Sequence, residues 1–469
     1  MLLREFLASL LFGKSAQAKA IMKSEILLRV VITTLIFALN GVTFAIDADL
    51  GRFSRAKQQQ IRDFARTITN KVPPMVWNFF EAVRVDDWET ATNLAARISL
   101  ASHRYAQSAN DDAMTPALAT LLWPPIAESY GAYEEFHEWN NHWLHRFGKE
   151  IIDSIPRGSI YFGGTDPGRF IISALSESQI EGKPFYTLTQ NQLADQAYVD
   201  YLRVMYGNKI HIPSTNDVQK AFEEYLNDAN ERLKRGALKP GEDVREVNGR
   251  VQVSGVVAVM QINGLLARKL FQQNPLTEFY VEESYVLDWM YPYQTPHGLL
   301  LQLNHETLDA IPEKDLAKDQ EYWKKLTDEM LGNWLDEKTS LKTICDFAMK
   351  YGSGKHLDDY SGDKTFAANS SGRKCFSKLR TAIAGLYAWR MEHSQDVEER
   401  ERMYRAADLA FRQGYAIYPS SPEAIYRYIN LLTNRRRPDD AILIAKTSLH
   451  LDPDNPELKN LVSQMVQRY

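Results

Sequence analysis

Residues 376–469 constrain the fold most, because they repeat a two-helix pattern. Ile425, Tyr428, Ile429 and Leu432 recur at three- and four-residue steps, which places them on one face of a helix. Ala441, Ala445 and Ser448 are small residues on one face of the next helix, and Pro453 follows it. The preceding unit has Ala407, Phe411, Gly414 and Pro419 at the matching places, with Lys378–Trp389 as its first helix and a longer interhelix loop. Small residues let neighbouring helices approach, and a proline stops each hairpin, so such a chain stacks hairpins into a solenoid. The pattern predicts Ala407, Phe411, Ala441 and Ala445 buried between antiparallel helices. Two units are fewer than the roughly three that an independent array needs, so this one must lean on helices expected at 312–350.

The stretch Pro422–Asp454 resembles a tetratricopeptide repeat, and the unit before it resembles a divergent one. The Trp77–Ala95 hairpin is only loosely similar. The resemblance implies a C-terminal α-solenoid that binds another protein.

Composition bounds the rest. Hydrophobic residues make up 44% and charged residues 25%, which suits a folded chain of several domains. A net charge of −5 lacks the basic footprint of general nucleic-acid binding, so no nucleic-acid partner is expected. Near the N-terminus, Ile26–Ile46 holds an apolar run from Val30 to Leu39, preceded by Lys23 and followed by polar sequence from Asp47. Thr43 and Ala45 occupy the small-residue positions of a cleavage site. Arg29 and Asn40 make a poor permanent span. Export to the periplasm or the outer face of the inner membrane is expected, with 1–46 as signal peptide or anchor and membrane contact only there. Cys345 and Cys375 permit one disulfide or two free buried thiols.

The remaining divisions are a helical region 47–152, an α/β domain 153–310, a helical linker and loop 311–375, and the repeats 376–469. In the first, Asp87 is a natural N-cap for the second helix of a hairpin. Pro124-Pro125 marks a break or restart in the stretch 115–152. In the α/β domain, apolar runs at Ser159–Gly164, Lys183–Thr189, Glu278–Glu282 and Leu299–Leu303 read as strands alternating with helices. That alternation predicts a mostly parallel sheet, and Asn248-Gly249 adds one hairpin. Residues 351–373, rich in Gly, Ser, Asp and Lys, read as a long loop.

The segments IPRGSIYFGGTDPGRF, KPFYTLT, REVNGRV and TPHGLLLQLN resemble the soluble C-terminal domain of bacterial protein O-mannosyltransferase-like membrane glycosyltransferases. Gly164–Phe170 holds the opening motif and His297-Gly298-Leu299 the closing one. This sequence lacks that family's multi-span membrane domain, so the resemblance implies a soluble accessory domain.

Gly163, Gly164, Thr165, Asp166 and Arg169 are the leading candidate ligand site. A strand that ends in glycines and enters a helix presents free amides to an anion or small polar ligand, such as a sugar. The plainer reading is a tight turn with a capping aspartate. Glu282, Glu283 and His297 are secondary candidates for an acid/base group. Trp289–Gln294 is an aromatic cluster that packs under a loop or stacks on sugar or peptide. Glu138, His142 and His145 share a helix face but lack metalloprotease spacing, and Gly352–Lys355 lacks the first glycine and the final Ser/Thr of a phosphate loop. No metal or cofactor is therefore expected. The chain reads as an exported binding or scaffold protein; the alternative is an enzyme or accessory subunit acting on glycans or glycoconjugates.

Overall fold

The computed structural model describes residues 46–67, 72–102, 115–176, 182–247 and 249–468. The export segment read at 1–46 lies outside them, apart from Ile46. Among the described residues no helix is long and apolar enough to cross a membrane.

Among the described residues five helices come first: α1 Ala48–Thr67, α2 Pro74–Arg84, α3 Trp88–Ser102, α4 Pro116–Glu138 and α5 Asn141–Ser154. Phe53, Phe79, Val83, Ile98, Leu122 and Ile126 form a separate hydrophobic cluster among the first four. Asp87 caps α3 as expected, its carboxylate accepting from Thr90 N at 3.1 Å. The expected break at Pro124-Pro125 is absent, because α4 runs through both prolines. It falls instead at Trp139-Asn140, where the Asn140 side chain accepts from Trp143 N and starts α5. A capping side chain offers new hydrogen bonds, whereas a proline only removes one.

The central region is an α/β layer. Its elements are β1 Ile160–Gly163, α6 Asp166–Ser176, β2 Tyr186–Thr189, α7 Gln196–Tyr206, α8 Thr215–Lys234, β3 Asp243–Val247, β4 Arg250–Ser254, α9 Gly255–Gln273, β5 Phe279–Val281, β6 Gln294–His297 and β7 Leu300–Leu303. The main sheet has the order β2-β1-β5-β7-β6. It is mixed: β2, β1 and β5 are parallel, whereas β7 runs antiparallel to both β5 and β6. The inner strand β1 is buried along its whole length, so it reads as a continuous apolar run. Strand β6 was not expected because QTPH neither alternates nor favours strand, and Pro296 cannot complete a ladder. It is tolerated because β6 is an edge strand. The hairpin β3–β4 forms a separate two-stranded sheet, with Gly249 at φ 72 in its turn.

Eight helices close the chain: α10 Glu313–Leu331, α11 Leu341–Tyr351, α12 Lys364–Ala368, α13 Ser370–His393, α14 Val397–Ile417, α15 Pro422–Asn434, α16 Pro438–Leu451 and α17 Pro456–Arg468. The loop expected over 351–373 is shorter than that, since α12 and the start of α13 lie inside it. Asp363 and Asn369 cap these helices, which local polarity had hidden. The loop between α13 and α14 is also short. Both helices extend through charged residues, such as Glu398–Arg402, that carry no apolar period but form helix well.

Ala407, Phe411, Ala441 and Ala445 are all buried. The Phe411 and Tyr428 rings stack with centroids 5.6 Å apart across α14 and α15. The array leans on the preceding helices: buried Arg380 on α13 reaches Asp319 on α10 at 2.8 Å, and Arg412 on α14 donates to Thr339 O. Cys345 on α11 and Cys375 on α13 are buried and unbonded. One hydrophobic cluster runs from Trp139 to Met465, so the sheet and the repeats share a core.

Candidate functional site

The segment Gly163–Arg169 is a strand–turn–helix at the carboxyl end of β1, as its sequence indicated. The amides of Gly164 and Thr165 are already taken. The Glu282 carboxylate, immediately after β5, accepts from Gly164 N at 2.8 Å, Thr165 N at 2.9 Å and Thr165 Oγ1 at 2.5 Å. Thr165 Oγ1 in turn accepts from Gly168 N, and Tyr161 Oη donates to Gly168 O. Glu282 is fully buried. Burial raises its pKa, opposed by these hydrogen bonds and by the nearby Lys378. The protein thus places its own anion where a strand–turn–helix would receive one from solution.

Packing around that carboxylate explains the glycines. A Cβ on Gly168 would sit 1.5 Å from Glu282 Oε2, and one on Gly164 would sit 2.2 Å from the Glu282 carbonyl oxygen. Asp166 and Arg169 pair with each other at 2.5 Å. Arg169 also lies over the Phe170 ring.

Glu282, Glu283 and His297 do not form one group. Successive residues of an extended chain point to opposite sides, so Glu283 turns away from Glu282. It accepts from Arg427 on α15 at 2.8 Å and lies near Tyr291 Oη. His297 ends edge strand β6 and places Nε2 2.8 Å from the Ser154 carbonyl. Glu138 accepts from Ser371 Oγ, while His145 lies 3.5 Å from Asp47 and 3.8 Å from Asp49, partly exposed.

Glu135 is a buried carboxyl with no signal in the sequence. Burial above all, then Asp166 and Glu138, push its pKa from 4.5 up to about 8. The folded protein therefore binds this proton more tightly than the unfolded chain. Its contribution is full below the unfolded value and is lost as pH rises through about 4.5 to 8. Glu135→Gln should flatten this part of the stability profile. Melting temperatures across that window should fall less for the variant than for the parent; equal slopes would discount the buried proton.

The repeats use one face to hold the rest of the chain. Besides the Arg427–Glu283 pair, Lys378 on α13 donates to Ser284 O at 3.1 Å. Arg390 donates to the carbonyls of Tyr291 and Pro292, and the Tyr291 ring packs on Trp389. No sequence pattern signals these contacts, because the partners lie far apart along the chain. Residues 400–465 match a known family, the tetratricopeptide repeat. The helices over that stretch are similar to tetratricopeptide repeats. No curated protein and no solved structure matches the chain. The match covers α15 and α16 whole and parts of α14 and α17. Tetratricopeptide repeats generally bind other proteins, so protein–protein interaction is the role they indicate. In this chain, part of the tetratricopeptide surface already grips segment 283–293.

Proposed function

We propose that this is an exported scaffold protein whose tetratricopeptide repeats hold a partner polypeptide while its α/β domain fixes the array in place. The observation that carries this reading is the filled turn. With Glu282 on the amides of Gly164 and Thr165, the most site-like motif acts as an internal clasp. The repeats remain as the functional surface. On α15 the exposed residues Tyr426, Asn430 and Asn434 follow one another along a helix side not taken by segment 283–293. The Asn430 amide suits a polypeptide backbone, since it offers both a donor and an acceptor, while Asn434 Nδ2 already donates to Glu392.

A photo-crosslinking residue at Tyr426 or Asn430 should give a discrete polypeptide adduct in the native cell. One at exposed Val397, on α14, should not. No adduct from the α15 positions would end the partner reading.

Export rests on the apolar run Val30–Leu39 and the Thr43–Ala45 site. A fusion of residues 22–60 to a reporter active only outside the cytoplasm should be active. An intact but silent fusion would show that the protein stays inside.

A further inference from the structure

From the cleft between α9 and the aromatic segment after β5, we infer a binding site for a pyranose ring that carries a carboxylate, as in a uronic acid. The cavity holds about 290 Å³ and lies away from the turn at 163–169. Phe271 is its buried floor, and Trp289, Tyr293 and His305 are its walls. Arg268 and Gln272 stand one helical turn apart on α9 and supply its polar edge.

The walls are fixed before any ligand arrives. Trp289 Nε1 donates to Gly264 O at 3.1 Å, which holds the indole against the helix. His305 Nε2 lies 2.9 Å from the Thr277 carbonyl, and its ring stacks on Phe271 at 5.1 Å with the planes 9° apart. The Tyr293 ring meets Phe271 edge-on at 5.7 Å. A cleft assembled this way binds without first ordering its side chains.

The free valences define the ligand. Arg268 is exposed and makes no hydrogen bond or ion pair with any described residue. Its fork suits a carboxylate. Gln272 and Tyr293 line the same space as the rings, so the lining combines aromatic surface with hydrogen-bonding groups. A flat aryl acid would satisfy the rings and Arg268 but leave the amide and hydroxyl unused. A pyranose carboxylate uses all of them: its C–H face packs on the rings, its hydroxyls meet Gln272 and Tyr293, and its carboxylate meets Arg268. The site is independent of the partner surface on α15.

Calorimetric titration of the full chain with methyl glucuronide, methyl glucoside and benzoate tests this assignment. The glucuronide should bind, with the glucoside and benzoate each at least about tenfold weaker. Arg268→Met keeps the aliphatic stem of an exposed side chain, so the fold should survive. It should abolish the preference for glucuronide over glucoside. Equal binding of both sugars, tighter binding of benzoate, or an unchanged preference in Arg268→Met would each overturn the proposal. So would the absence of glucuronide binding by a folded protein.

Discussion

Ala441→Glu is expected to destabilise the whole C-terminal region by about 3–5 kcal/mol. Ala441 is completely buried on α16, and a small residue there lets neighbouring helices approach. A carboxylate there has little room, and the Arg437 guanidinium one turn earlier is already paired with Asp408 and Asp440. Either it is desolvated without a partner, or α16 separates from α15. In thermal unfolding the variant should melt many degrees below the parent and expose α16 to proteolysis first. The same packing argument predicts that a purified 376–469 fragment does not fold stably. It lacks Asp319, and so leaves buried Arg380 with Gln413 but without its carboxylate. It also lacks the wall of α11 beneath α14 and α16. Cooperative melting of the fragment at the full protein's temperature would show the array to be independent. A neutral result for Ala441→Glu would show that the packing face is wrongly assigned.

The second large effect is expected at Glu282. Glu282→Ala removes one acceptor group but strands Gly164 N, Thr165 N and the Thr165 hydroxyl in a buried site. Each unmet donor costs about 1–3 kcal/mol, and the vacated space adds a cavity term. Removing the carboxyl also recovers its own cost of burial, so a net loss of about 3–5 kcal/mol is expected, read as a shift in denaturant midpoint at unchanged slope. Glu282→Gln keeps an acceptor oxygen for the amides and can still meet the threonine hydroxyl, so it should lose only about 1 kcal/mol. Should the alanine variant match the parent in stability, the carboxylate would not be a structural clasp, and the turn would return as a candidate ligand site.

Sequence legibility varied with distance along the chain. The turn at 163–169 was readable because strand, glycines and capping residues are neighbours. What fills it was not, since Glu282 is brought there by the pairing of β5 with β1. The caps at Asp363 and Asn369 are local and present in the sequence, but a composition rich in Gly, Ser and Lys masked them. Strand β6 had no local signature at all. It exists because β7 offers an unpaired edge, so a neighbour rather than its own residues decides its conformation.

By itself the sequence determined the helical hairpins of the repeats, the strand–turn–helix after β1, the cap at Asp87 and the β3–β4 hairpin. In each, the residues that decide the conformation lie within about one repeat of one another, close enough for periodicity, capping and turn chemistry to act. Only the tertiary structure decided that Glu282 occupies the turn, that Arg427, Lys378 and Arg390 grip segment 283–293, and that Arg268 faces an aromatic cleft. Those arrangements depend on which buried polar group meets which partner once the sheet and the repeats share a core. A buried charge must be paired wherever packing leaves it, and spacing along the chain carries no record of that choice.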